Sequence, residues 1–387
     1  MRRSASAASL SSPPLPRMRR HSANPVVAAA DVPPSNPEYR VRGAFNPAAT
    51  TFGGETLLLL RVAEDVPADP GRIAVPLVRF EDGRGVADVL NVGLTDPGVV
   101  PRDTRGVCVE GVEYLSTLSH LRLARSKDGV NFVVDETPFL FPATPAERFG
   151  VEDARITRIA DTWWINYTAV SGDGWCTALA STTDWRTVTR HGVIFPPANK
   201  DVSLFPDRCG GKWRALHRPN NDGFGKSSVW LASSPDLVSW GDHRCILRPR
   251  DGVEYEGTKI GGGPPCLLTD AGWVQIYHGK AATGAYALFV ALLDRDEPSV
   301  VLARGTEPFF VPEAEYERVG FFPNVVFANG LTHDEPGPNG VLPDDATVRV
   351  YYGACDESAC LAETTVGELI AAAGPRTTAS CADCRQT

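Results

Sequence analysis

One short phrase recurs five times along this chain: Phe45-Asn46-Pro47-Ala48, Val151-Glu152-Asp153-Ala154, Leu204-Phe205-Pro206-Asp207, Gly262-Gly263-Pro264-Pro265 and Phe322-Pro323-Asn324-Val325. A strand-like run follows each copy closely. The last four copies lie 53, 58 and 59 residues apart, counted at Asp153, Pro206, Pro264 and Pro323. The 106 residues from Pro47 to Asp153 read as one period plus an insertion. Repetition at this length means an array of similar units, each unable to bury its apolar faces alone.

A second phrase keeps the same period. Ala124-Arg125-Ser126-Lys127-Asp128, Ala180-Ser181-Thr182-Thr183-Asp184 and Ala232-Ser233-Ser234-Pro235-Asp236 each end a short apolar stretch, with their aspartates 56 and 52 residues apart. Each reads as a strand running into a tight turn capped by Asp. Between the two phrases lies an aromatic strand: Trp163-Trp164-Ile165-Asn166-Tyr167, Trp213-Arg214-Ala215-Leu216-His217 and Trp273-Val274-Gln275-Ile276-Tyr277-His278. About four short strands per unit, five times over, predict an all-β chain folded as a five-bladed β-propeller with a central pocket. The expected organisation is a disordered basic Ser/Ala/Pro-rich segment over 1–38, the propeller over 39–367 and a tail over 368–387. A short helix is expected from Glu368 to Ala373. Phe80–Glu113 carries the extra length and reads as a loop over one mouth of the channel.

Composition narrows the partners. A net charge of −9 argues against nucleic acid as a bulk electrostatic partner, and no apolar run approaches membrane-spanning length. Nine scattered cysteines fit free thiols in a reducing compartment, which points to the cytoplasm. Cys381-Ala382-Asp383-Cys384 reads as a tail with two free thiols, since no second ligand pair lies near it and no metal is expected. Arg2, Arg3, Arg17, Arg19 and Arg20 all precede the first acid, Asp31. That bias leaves organelle targeting open, and equally an over-long start with Met18 as first residue.

In a propeller the innermost strands funnel side chains together. The polar residues so placed are Asn46, with Arg61 behind Leu57-Leu58-Leu59-Leu60; Glu152-Asp153-Ala154-Arg155; Asn199-Lys200-Asp201 with His217-Arg218; Glu256-Gly257-Thr258-Lys259 with Tyr277-His278; and Tyr352-Gly353-Ala354-Cys355-Asp356. In this order, from about Asn46 to Asp356, the phrases resemble glycoside hydrolase family 130, most of whose members are β-mannoside phosphorylases on a five-bladed propeller. The resemblance implies that Asp153 is the single catalytic acid, acting through a sugar hydroxyl. It implies that Lys200, Arg218 and Lys259 hold phosphate, and that Asn46, Arg61 and Asp356 contact the mannosyl unit. Two departures stand out: Lys200 occupies a position that is often Arg in the family, and Ala154 replaces the proline of the usual Glu-Asp-Pro-Arg. The implied substrates are a manno-oligosaccharide, or mannosyl-glucose or mannosyl-GlcNAc, and inorganic phosphate. No other cofactor is implied, and a homo-oligomer is left open.

The chemistry is coherent on its own terms. Inverting cleavage by water needs an acid and a base on opposite faces of the sugar. A phosphate nucleophile already carries charge, so cations replace the second carboxylate. Other residues have plainer readings. His217 and His278 end aromatic strands as structural histidines, with His278 also a phosphate or sugar contact. Ser119-His120 lacks the elbow glycines of a nucleophile. Gly261-Gly262-Gly263 precedes no helix, so it is weak as a phosphate loop. Tyr114, Trp175 and Tyr255 are candidates for stacking on sugar faces. In a regular strand Glu152 and Asp201 would point away from the side of Asp153 and Lys200. Two alternatives remain: a hydrolase using Glu256 or Asp201 as base, and a non-catalytic carbohydrate-binding propeller.

Overall fold

Five antiparallel meanders account for the repeat in the computed structural model, which describes residues 17–81, 84–102, 106–221 and 223–376. The first unit runs Arg40–Phe52, Glu55–Asp65, Leu118–Ser126 and Val133–Val134. The second runs Gly150–Ile159, Thr162–Ser171, Gly174–Thr182 and Thr189–Phe195. The third is Asn199–Leu204, Trp213–Pro219, Val229–Ser234 and Gly241–Leu247. The fourth is Lys259–Gly262, Gly272–Lys280, Tyr286–Leu293 and Val301–Arg304, with Leu267–Thr269 also paired to its second strand. The fifth is Val326–His333, Thr347–Ala354 and Ser358–Thr365, and Arg19–Arg20 pairs along its outer edge.

The apolar core lies between units, not within them. The run Leu57-Leu58-Leu59-Leu60 is wholly buried although its side chains alternate direction. Leu57 and Leu59 pack with Ile165 and Tyr167 of the second unit, while Leu58 and Leu60 pack with Tyr351 and Leu361 of the fifth. Likewise Leu179 and Phe195 meet Leu204 and Ala215, Leu216 and Leu231 meet Phe289, and Leu288 and Val290 meet Val348 and Val350. Each unit is thus sandwiched by two neighbours, the fifth also packing on the first.

The capped turns recur as the second phrase indicates. Asp128, Asp184 and Asp236 each accept backbone N–H groups two and three residues on. Those bonds favour the ionised form, and Asp184 and Asp236 are each pulled down to about 2.

Three expectations need correction. First, the insertion is not a loop. Arg72–Glu81 pairs with Arg84–Gly93, and Val99–Pro101, Gly106–Val109 and Val112–Leu115 form a small sheet. Second, residues 17–38 belong with the folded body. Arg19 and Arg20 pair with Glu363 and Ala362, Val27 pairs with Ala359, and Val27 and Val32 are buried. Residues 1–16 lie outside the described residues. Third, Val366–Ala373 is a helix whose Leu369, Ala372 and Ala373 join the core, so the body extends past 367. The seven described cysteines are free; Cys381 and Cys384 lie outside the described residues.

The opening phrase also proves to be out of structural register. Ladder slips fall between Phe45 and Ala48, between Glu152 and Arg155, and between Lys200 and Ser203. The equivalent residues are therefore Asn46, Asp153 and Asp201, while Leu204-Phe205-Pro206-Asp207 lies at the end of its strand.

Candidate active site

Three bulges build the site. Asn46, Asp153 and Asp201 have φ of 46°, 50° and 55°, a left-handed conformation that Asn and Asp tolerate better than most residues. The kink breaks the two-residue alternation of the strand. Glu152 and Asp153 consequently line one cavity together, as do Lys200 and Asp201. The expectation that Glu152 and Asp201 face away fails for this reason.

The cavity has a volume of about 270 Å³. It gathers Asn46 and Arg61 from the first unit, Asp153 from the second, Lys200 and Arg218 from the third, Lys259 and His278 from the fourth, and Asp356 from the fifth. Asp356 sits in the turn after Thr347–Ala354, itself at φ 56°. Leu115, Ser116 and Thr117, at the end of the insertion, form part of the wall.

Asp153 is held on several sides. Asn46 Nδ2 donates to Asp153 Oδ1 at 2.9 Å, and Arg61 Nη1 donates to the same oxygen at 3.2 Å. Arg61 Nη2 donates to Glu152 Oε1 at 2.9 Å, and its Nε donates to Ser119 Oγ at 3.0 Å. Lys200 Nζ donates to Glu152 Oε2 at 3.2 Å. Burial would raise the Asp153 carboxyl, but Arg61, Lys200, Arg155 and the Asn46 amide together hold it below the ordinary value. Asp356 differs: burial, aided by the charges of Asp153 and Glu152, pushes it up to about 6.

A second charged cluster is organised around Asp201. Arg218 Nε donates to Asp201 Oδ2 at 2.6 Å, and Arg155 Nη2 donates to Asp201 Oδ1 at 3.2 Å. His278 Nε2 lies 3.4 Å from Asp201 Oδ2. Burial pushes the Lys259 ammonium down to about 7, assisted by the charges of Arg218, Lys200 and Lys280 against that of Asp201. Lys259 Nζ also lies 5.6 Å from the ring centre of Tyr286.

Other residues singled out in the sequence lie elsewhere. Tyr114 packs 5.0 Å from Phe149, with Leu77 and Val170 in the same cluster, and does not line the cavity. Trp175 packs in that cluster, and its ring centre is 5.8 Å from Lys200 Nζ. Tyr255 packs against the core between the third and fourth units. His217 stacks on Phe195, contacts Asn199 and His243, and is pushed down to about 3 by burial and His243. His120 is buried against Glu64, not poised beside Ser119 as a base. Glu256 is enclosed by Arg250, Arg304 and Tyr277 and is absent from the cavity wall, which removes it as a base.

In the sequence Arg155 only ends its phrase, with no role assigned to it. It is 1% exposed and ties three strands together, donating to the Asp153 carbonyl, to Asp201 and to the Gly262 carbonyl. Its place directly after Asp153-Ala154 was the available signal.

Residues 97–373 match the family model of glycoside hydrolase family 130, described as beta-1,4-mannooligosaccharide phosphorylase. The chain is 40% identical over 357 residues to a beta-1,2-mannobiose phosphorylase of Listeria innocua, covering 91% of this chain and 97% of that protein. It is 37% identical over 247 residues to a 1,2-beta-oligomannan phosphorylase of Thermoanaerobacter sp., covering 63% and 78%. The solved structure of the Listeria innocua beta-1,2-mannobiose phosphorylase in complex with beta-1,2-mannobiose superposes with a TM-score of 0.84 at 40% identity, covering 92% of this chain and 98% of that one.

Proposed function

The chain belongs to glycoside hydrolase family 130, and from that premise we propose that it is an inverting β-mannoside phosphorylase acting on β-1,2-linked manno-oligosaccharides. The preference for β-1,2 over β-1,4 linkage rests on the two relatives at 40% and 37% identity. The observation that carries the reaction is one cavity lined by Asp153 together with Lys200, Arg218 and Lys259.

Asn46 and Arg61, which hold the Asp153 carboxyl ionised, turn to the mannosyl unit when it binds. Asp153 then takes up a proton and supplies it to the departing glycosidic oxygen, directly or through a sugar hydroxyl. An oxygen of phosphate forms the new bond to the anomeric carbon from the opposite face as the C–O bond to the acceptor breaks. The products are α-mannose 1-phosphate and a shortened acceptor. Lys200, Arg218, Lys259 and His278 surround the phosphate, and cations held in place before reaction stabilise its charge as it approaches an oxocarbenium-like centre. Asn46, Arg61 and Asp356 hold the mannosyl unit. Phosphate is the co-substrate.

Water as nucleophile would need a free carboxylate base. Glu152 is paired with Arg61 and Lys200. Asp201 is bonded to Arg218 and Arg155, and these with His278 overcome the burial penalty and hold it well below the ordinary carboxylate range. Such a group is a poor base. The whole arrangement suits a five-bladed propeller: the apolar cores lie between successive units and between the fifth and the first, and site residues come from all five.

Incubation with β-1,2- and β-1,4-mannobiose at fixed phosphate tests the reading. Phosphate consumed should match α-mannose 1-phosphate formed, with the β-1,2 substrate preferred. Release of mannose with no sugar phosphate would contradict it.

A further inference from the structure

We propose that Asp201 is the positioning residue of the phosphate site, and that Gly261 is the space that admits it. This rests on reading Lys200, Arg218 and Lys259 as the phosphate holders. A carboxylate on the wall that receives an anion is at first sight the wrong charge, since it repels phosphate. Its surroundings account for it.

Both oxygens of Asp201 are committed. Oδ1 accepts from Arg155, and Oδ2 accepts from Arg218 Nε and faces His278 Nε2. A guanidinium gripped at its Nε edge is fixed in plane, so the group that meets phosphate is set before phosphate arrives. Arg155 extends the frame. It also holds the carbonyl of Asp153 and that of Gly262, so the wall carrying Arg218 is tied to the strand that carries the acid. Asp201 itself is 3% exposed and sits in a left-handed bulge, which turns its carboxylate toward Arg218 instead of along the regular strand face.

Gly261 lies opposite His278 in the fourth unit. A methyl group there would fall inside contact distance of Asp201 Oδ2 and 2.6 Å from His278 Nε2. Its φ lies outside the left-handed region, so glycine is needed for room and not for backbone freedom. Gly261→Ala therefore crowds both the Asp201 carboxylate and the His278 ring while keeping every charge.

The experiment is steady-state phosphorolysis of β-1,2-mannobiose by Asp201→Asn, Gly261→Ala and Arg218→Ala, varying each substrate in turn. Both positioning variants should raise the KM for phosphate by about tenfold or more, the scale of losing one charge-assisted bond, while the mannoside KM stays within about threefold. The inhibition constant of sulfate should rise in parallel. An unchanged phosphate KM in both variants overturns the proposal, as does an equal rise in both KM values, which a merely structural role would give. Arg218→Ala separates the two levels. If it raises the phosphate KM and the Asp201 and Gly261 variants do not, only the positioning role fails. If none of the three affects phosphate, the assignment of the phosphate site fails. Should Asp201→Asn not fold, Asp201→Glu, which keeps the charge but displaces it from Arg218, takes its place with the same expected rise in the phosphate KM.

Discussion

Arg20 donates to both carboxylate oxygens of Glu317, Nε to Oε1 at 2.8 Å and Nη2 to Oε2 at 2.8 Å. Glu317 is fully buried and also accepts from Tyr352 Oη at 2.7 Å. The same Glu–Tyr–Arg cluster recurs as Glu147, Tyr167 and Arg190 in the second unit and as Glu256, Tyr277 and Arg304 in the fourth. There the arginine comes from the outer strand of the unit. Arg20, from the N-terminal strand, occupies that position in the fifth.

Arg20→Ala should therefore destabilise the fold by about 3 kcal/mol, because it leaves a buried carboxylate short of its cation. Arg19→Ala removes only an exposed pair with Glu368 and should cost less than about 0.5 kcal/mol. Urea unfolding of both variants checks this, and equal effects would contradict the role of Arg20 as the cation of buried Glu317.

Asp153→Asn should lower kcat by about 10²- to 10⁴-fold, the usual contribution of a general acid, with little change in thermal stability. The amide keeps the shape of the carboxylate. Turnover at the wild-type rate would exclude Asp153 as the acid.

Lys259 gives a pH signature. Its folded pKa is lowered to about 7, so the ammonium is charged below that value and neutral above it. Sulfate stays a dianion throughout, so its inhibition constant should be lowest in acid and climb above about pH 7, approaching tenfold per unit. Lys259→Met should bind sulfate weakly with a flatter profile. A wild-type constant unchanged between about pH 6 and 9 would show that Lys259 does not titrate against the anion.

Much of this site was legible because it lies on recurring strands. Asp153, Lys200 and Lys259 lie on the first strands of successive units, Arg218 on a second strand and Asp356 in the turn after one. The bulges were missed because period-two alternation assumes regular strands. The clue was present: Asn or Asp three times at the residue that turns left-handed. Glu147, Glu256 and Glu317 form a further repeat just ahead of the first strands, visible only when paired with Tyr167, Tyr277 and Tyr352. Tyr114 misled because an aromatic beside an insertion reads as a sugar platform, whereas Phe149 and Leu77 provide it a packing site. Within Phe80–Glu113, Val86 to Val92 form part of the paired strand Arg84–Gly93, but the Gly and Pro around them read as loop.

Phosphate dependence tests the central claim most directly. Purified protein is incubated with β-1,2-mannobiose with and without inorganic phosphate, and products are followed by phosphorus and proton NMR. The account predicts equimolar mannose and α-mannose 1-phosphate when phosphate is present, and no mannose release when it is absent. Equal mannose release under both conditions, or a β-configured sugar phosphate, would contradict it.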